Sequence, residues 1–77
     1  MVATTHLASN LRALRLKARL TQDAVASVCN VDRATVSKWE TGEIKPRVER
    51  LVVLARLYKC SINRFFKEQS NETHSSI

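Results

Sequence analysis

The chain has 77 residues and a formal net charge of +6, from 13 lysines and arginines against 7 acidic residues. This length supports one small domain, and the positive charge favours polyanionic partners, of which nucleic acid is the simplest. Two cysteines exclude a disulfide framework or a cysteine-based metal cluster, and no apolar run approaches the roughly 20 residues of a membrane span. The polar start of the chain does not resemble a signal peptide.

The first predicted element is a helix over residues 6–18. Leu7, Leu11 and Leu14 recur at helical spacing, while lysines and arginines occupy the other faces. Thr21 follows, and its hydroxyl can accept a hydrogen bond from the exposed amides of a first helical turn. It is therefore predicted to be the N-cap of a second helix.

Residues 22–41, QDAVASVCNVDRATVSKWET, carry the most informative pattern. Two crossing helices could bury its small and apolar positions, which are Val25, Ala26, Cys29, Val31, Val36 and Trp39. Asn30 falls at the turn between them, where a positive φ is needed and Asn tolerates it better than most residues. Asp32 is predicted to cap the third helix as Thr21 caps the second.

The second helix of this pair leaves short polar and basic side chains facing outward, namely Arg33, Ala34, Ser37 and Lys38. A compact two-helix unit with such a surface is suited to entering a DNA major groove. Two amphipathic helices of an unrelated small domain are the alternative interpretation.

Gly42 allows the third helix to end in a left-handed cap. A loop then leads to a fourth helix over residues 47–58, where Arg47 replaces the usual capping Ser or Thr. Ser61 can cap a short fifth helix that contains Ile62, Phe65 and Phe66. We therefore expect an all-α fold, a compact five-helix bundle with a helix-turn-helix, over residues 1–69. The polar segment 70–77 is expected to be disordered.

Several motifs resemble the Xre/Cro-like helix-turn-helix family, which includes phage repressors, Cro proteins, restriction–modification controller proteins and many antitoxins. They are Leu20-Thr21-Gln22, Ala26, the run from Val36 to Gly42, Lys45-Pro46, and the run from Leu54 to Leu57. The resemblance implies a lambda repressor-like domain. It also implies a sequence-specific transcription regulator that acts as a homodimer on palindromic double-stranded DNA, with repression as the favoured mode. The expected location is a bacterial cytoplasm or a phage-infected host cell, with no cofactor, metal or membrane partner.

The resemblance also implies which residues contact DNA. The base-reading positions are Arg33, Ala34, Ser37 and Lys38, and the phosphate-contacting positions are Gln22, Thr35, Lys45 and Arg47. Arginine can bond guanine through two donors, and an alanine methyl can contact a thymine methyl. The charge of Arg33 also opposes the dipole at the start of its own helix, which an anionic partner would offset.

Two further roles follow from the resemblance. It pairs Glu40 with an arginine of the first helix, matched here by Arg15, and so predicts a partly buried, bidentate ion pair. Two ordinary surface charges are the alternative. Dimerisation is assigned to the fifth helix and its flanks, with the candidate contacts Ile62, Arg64 and Phe65, although relatives often have an apolar residue at the position of Arg64.

Two rival classes of function differ in their support. An enzyme is disfavoured because His6 and His74 lie in the polar ends, and no Cys–His or paired-carboxylate constellation accompanies them. An antitoxin, which would bind a protein partner and its own promoter, is the stronger alternative. The polar segment 70–77 weakens it, because a free apolar C-terminal segment would be expected to mask a toxin.

Overall fold

The computed structural model describes residues 3–68, which form four α-helices and one 3-10 helix and contain no strand. The α-helices are α1 (Ala3–Lys17), α2 (Gln22–Cys29), α3 (Arg33–Thr41) and α4 (Val48–Leu57), and the 3-10 helix spans Ile62–Phe66. The all-helical prediction is confirmed, and the segment 70–77 lies outside the described residues. None of the helices in this range is long and apolar enough to cross a membrane.

One hydrophobic core joins the helices. α1 packs mainly against α3 and the 3-10 helix, while α2 packs against α3 and α4. The apolar stripe of α1 is buried as its spacing predicts, and the least exposed side chains are Leu11, Val25, Val36, Leu54 and Phe65. The inner face of α3 is therefore held by the rest of the domain, and its opposite face is left at the surface.

The turn between α2 and α3 has the geometry that Asn30 predicts. Asn30 adopts a left-handed conformation with φ of 59° and ψ of 46°. Its backbone N–H donates to the Ser27 carbonyl at 3.3 Å, and the Val31 N–H donates to the Ala26 carbonyl at 3.0 Å. These bonds satisfy carbonyls at the end of α2 and turn the chain into α3.

The two predicted N-caps of this unit differ. Thr21 Oγ1 accepts from the backbone N–H of Ala24 at 3.0 Å, as a capping threonine should. Asp32 occupies the N-cap position of α3 in an extended conformation, but its side chain makes no capping hydrogen bond. The prediction that Asp32 caps in the same way is therefore wrong, and its exposed carboxylate can be solvated by water instead.

Gly42 ends α3 with a φ of 88°, and its N–H donates to the Lys38 carbonyl at 3.1 Å. A Cβ atom at this position would lie 3.7 Å from the Ala8 Cβ, an ordinary contact. The backbone conformation, rather than lack of space, therefore favours glycine here.

The predicted fifth helix is a 3-10 helix, so the five-helix count is not confirmed. The Arg64 N–H donates to the Ser61 carbonyl at 3.0 Å, and the Lys67 N–H donates to the Arg64 carbonyl at 3.4 Å. This three-residue spacing defines the tighter helix, which suits short segments. The Asn10 side-chain amide binds the carbonyls of Phe65 and Lys67 at 2.9 and 2.6 Å, so α1 holds the end of this segment.

Candidate nucleic-acid interface

The outward face of α3 carries the predicted base-reading residues. Arg33, Ala34 and Lys38 are exposed, while Thr35 and Ser37 are partly buried. The inward face consists of Val36, Trp39 and Glu40, all of which are buried. One face of α3 is therefore packed into the domain. The opposite face presents the cationic side chains of Arg33 and Lys38 and the methyl group of Ala34 to solvent.

The Arg15 guanidinium lies against the Glu40 carboxylate and makes two hydrogen bonds with it. Arg15 Nε donates to Oε2 at 2.7 Å, and Nη2 donates to Oε1 at 3.1 Å. The two side chains are only 9% and 3% exposed. The hydrogen bond to Glu40 raises the pKa of Arg15 against the opposing effect of burial. This ion pair ties α1 to the C-terminal half of α3.

Two more groups complete the network around this ion pair. Arg15 Nη1 donates to the Leu20 carbonyl at 2.9 Å, which secures the turn between α1 and α2. Gln22 Nε2 donates to Glu40 Oε1 at 3.0 Å. Since an amide nitrogen carries two hydrogens, Gln22 retains one donor for another partner. Sequence reasoning assigned Gln22 to phosphate binding but missed its bond to Glu40.

Two of the other predicted phosphate-contacting residues, Lys45 and Arg47, lie beyond the end of α3, whereas Thr35 lies within it. Lys45 and Arg47 are both exposed, and the buried Pro46 between them anchors their loop. Gln22 and Arg33 line a surface depression at the beginning of α3. Polar and cationic groups therefore flank α3 at both ends, separated by its length of about 13 Å at 1.5 Å per residue.

Sequence reasoning missed two polar side chains that hold the helices in place. Arg50 Nη1 donates to the Cys29 carbonyl at 2.9 Å, so an arginine of α4 binds the C-terminal end of α2. Asn10 is buried in α1. Its position three residues after Leu7, on the apolar face, was a usable signal. Arg50 had none, because its partner is set by tertiary packing.

The structure corrects one of the three predicted dimer contacts. Phe65 is fully buried in the core of the single chain, and its ring packs edge-on against Tyr58 with centroids 6.2 Å apart. Its side chain therefore has no surface to offer a second copy. Ile62 is partly buried and Arg64 is exposed.

Three further side chains have pKa values that are raised mainly by burial. Burial raises the pKa of the Cys29 and Cys60 thiols, and it is also the main cause of the raised pKa of the Tyr58 hydroxyl. Both cysteines are free thiols. Over residues 3–68, no group of His, Cys, Asp and Glu side chains is arranged to hold a metal ion.

Comparison with known proteins agrees with this geometry. A family model described as helix-turn-helix matches residues 11–65. The repressor protein C2 of Salmonella phage P22 is 28% identical over 71 residues, which cover 92% of this chain and 33% of that protein. The chain thus spans about a third of the length of this relative. No solved structure matches the chain significantly. The matched region contains the whole of α2, α3 and α4 and the turn between α2 and α3. The chain therefore belongs to the Xre/Cro-like helix-turn-helix family.

Proposed function

We propose that this chain is a sequence-specific, DNA-binding transcriptional regulator that places α3 in the major groove. The observation that carries the proposal is the exposed row of Arg33, Ala34 and Lys38 on a helix whose other face is buried. A rigidly held helix with short and cationic outward side chains suits recognition of base edges. The similarity to a phage protein named a repressor supports a repressing role.

The chemistry of each α3 residue gives its role. The Arg33 fork can donate to O6 and N7 of one guanine, and Lys38 can donate to a guanine from the next turn. Ala34 offers a methyl group to thymine. Ser37 reads bases from its partly buried position on the same helix, and the partly buried Thr35 contacts the adjacent backbone.

Phosphate contacts position this helix from both ends. At its beginning, the second amide hydrogen of Gln22 donates to a phosphate while the first stays bound to Glu40. Beyond its end, Lys45 and Arg47 approach the backbone from an exposed loop. Because DNA phosphates lie along both edges of the major groove, phosphate contacts at both ends of α3 fix the position of this helix in the groove.

The protein acts as a dimer on an inverted repeat. A single domain of this size reads few base pairs, and two copies related by a twofold axis would place their α3 helices one DNA turn apart, about 34 Å. The 3-10 helix supplies the contact through Ile62 and Arg64. Phe66 on the same helix is 49% exposed and replaces the buried Phe65 as a candidate dimer contact.

Two substitutions separate base reading from phosphate binding. Arg33→Ala should weaken binding by about 1–3 kcal/mol per half-site and relax the preference at one base pair. Lys45→Ala should weaken binding to all sequences alike and reduce the salt slope of the binding constant by about 1 per bound chain. Fluorescence anisotropy on a selected duplex and its single-base variants, at several salt concentrations, measures both effects.

Arg56→Ala is the matched control, because Arg56 is exposed on α4 and makes no ion pair among the described residues. It should preserve sequence preference. The assignment would be reversed if Lys45→Ala changed the preferred bases while Arg33→Ala did not.

A further inference from the structure

An open depression lies where the α1–α2 turn meets the beginning of α3. It is lined by Arg15, Leu16, Arg19, Leu20, Thr21, Gln22, Asp23 and Arg33. Two of these residues, Gln22 and Arg33, belong to the proposed DNA-binding surface. Arg19 lies in the turn between α1 and α2, outside the base-reading and phosphate-contacting residues named above.

The charges around this depression are unbalanced. Arg15 is neutralised by its bonds to Glu40. Arg19 and Arg33 are both exposed, and neither makes an ion pair within residues 3–68. The acidic side chain in the lining, Asp23, is exposed and bonds neither of them. Two cations therefore share one open surface with a single unpaired carboxylate, an arrangement that an anion would stabilise.

We propose that Arg19 binds a backbone phosphate of DNA in this depression, together with the free amide hydrogen of Gln22. The inference rests on the proposed function, since the phosphate belongs to the strand that flanks the groove entered by α3. An arginine fork bonds phosphate through two parallel N–H donors, and Gln22 is already oriented by Glu40. Arg19 thereby adds a phosphate contact at the beginning of α3, opposite Lys45 and Arg47.

The backbone at Arg19 makes a clean test available. Arg19 has a φ of 63°, in the left-handed region where glycine is favoured over other residues. Lys59 has the matching conformation, with a φ of 56°. Each of the two residues lies just beyond the end of an α-helix. The backbone N–H of the following residue donates to a carbonyl of that helix, from Leu20 to Arg15 after α1 and from Cys60 to Ala55 after α4. Lys59 lines a different groove, which contains neither Gln22 nor Arg33.

Arg19→Gly and Lys59→Gly therefore remove the same charge and relieve the same backbone conformation. Both variants should melt a few degrees higher than the wild-type chain, because relief of the left-handed conformation outweighs the extra entropy that glycine gives the unfolded chain. Only Arg19→Gly should bind DNA more weakly, by about three- to tenfold at low salt, with a salt slope reduced by about 0.9 per bound chain. The probe is a fluorescein-labelled duplex of random sequence, followed by anisotropy across a salt series, since a phosphate contact does not depend on sequence.

Each result has one meaning. If the wild-type chain bound no DNA, the proposed function itself would fail. If it bound DNA but the two glycine variants matched each other in affinity and salt slope, Arg19 would not be a phosphate contact. If Arg19→Gly lowered the melting temperature, a structural role would replace the one proposed.

Discussion

Replacing Glu40 by alanine is expected to lower the free energy of unfolding by about 3–5 kcal/mol. The substitution leaves the buried Arg15 guanidinium without its carboxylate, and it also removes the acceptor of the Gln22 amide. Arg15 would keep only its bond to the Leu20 carbonyl. Since small domains are stable by about 5–15 kcal/mol, this loss is a large fraction of the total. Urea unfolding followed by circular dichroism measures it.

Glu43→Ala is the matched control, because Glu43 is an exposed carboxylate in the loop that follows α3. It should change stability by less than about 0.5 kcal/mol. The double variant Arg15→Ala, Glu40→Ala should lose less stability than the sum of the single variants, because it strands no charge. An unfolding midpoint for Glu40→Ala equal to that of the wild-type chain would refute the role given to this ion pair.

Phe65→Ala is expected to destabilise the protein by about 3–5 kcal/mol, the usual cost of emptying a fully buried aromatic site. Phe65 joins the 3-10 helix to the core and packs edge-on against Tyr58. The neighbouring Phe66 is 49% exposed, so Phe66→Ala should cost well under about 1 kcal/mol. Thermal and urea unfolding of the two variants give the comparison.

The same pair of variants distinguishes a core residue from a dimer contact. Phe66→Ala should weaken self-association, measured by analytical ultracentrifugation, without a large change in stability. If instead Phe65→Ala left stability unchanged and abolished the dimer, the assignment of these two phenylalanines would have to be exchanged.

Much of the fold follows from local signals in the sequence. The leucines of α1, the Thr21 cap, and the turn at Asn30 each depend on neighbouring residues, and the structure has them as predicted. The last helix was harder, because Ser61, Phe65 and Phe66 suit either an α-helix or a 3-10 helix. The bonds from Asn10 to its carbonyls come from a residue more than 50 positions away.

In the candidate site, the exposed residues of α3 were predictable from the sequence, but most contacts between helices were not. The outward row of α3 follows from helical spacing alone, because burial of Val36 and Trp39 fixes which face remains. The proximity of Arg15 and Glu40 does not follow from spacing, since 25 positions separate them, and it was expected only through the family resemblance. The bonds from Gln22 to Glu40 and from Arg50 to Cys29 depend on how the helices pack, so no local pattern predicted them.

Selection of bound sequences from a pool of random duplexes, with the wild-type chain and with Arg33→Ala, tests most directly whether α3 reads DNA. The wild-type chain should enrich one inverted repeat whose half-sites are centred about one turn apart, roughly 10 base pairs. Arg33→Ala should enrich the same repeat with a relaxed preference at one symmetric pair of positions. Recovery of no common sequence, or of the same fully specified sequence by both proteins, would contradict the proposal that α3 reads DNA through Arg33.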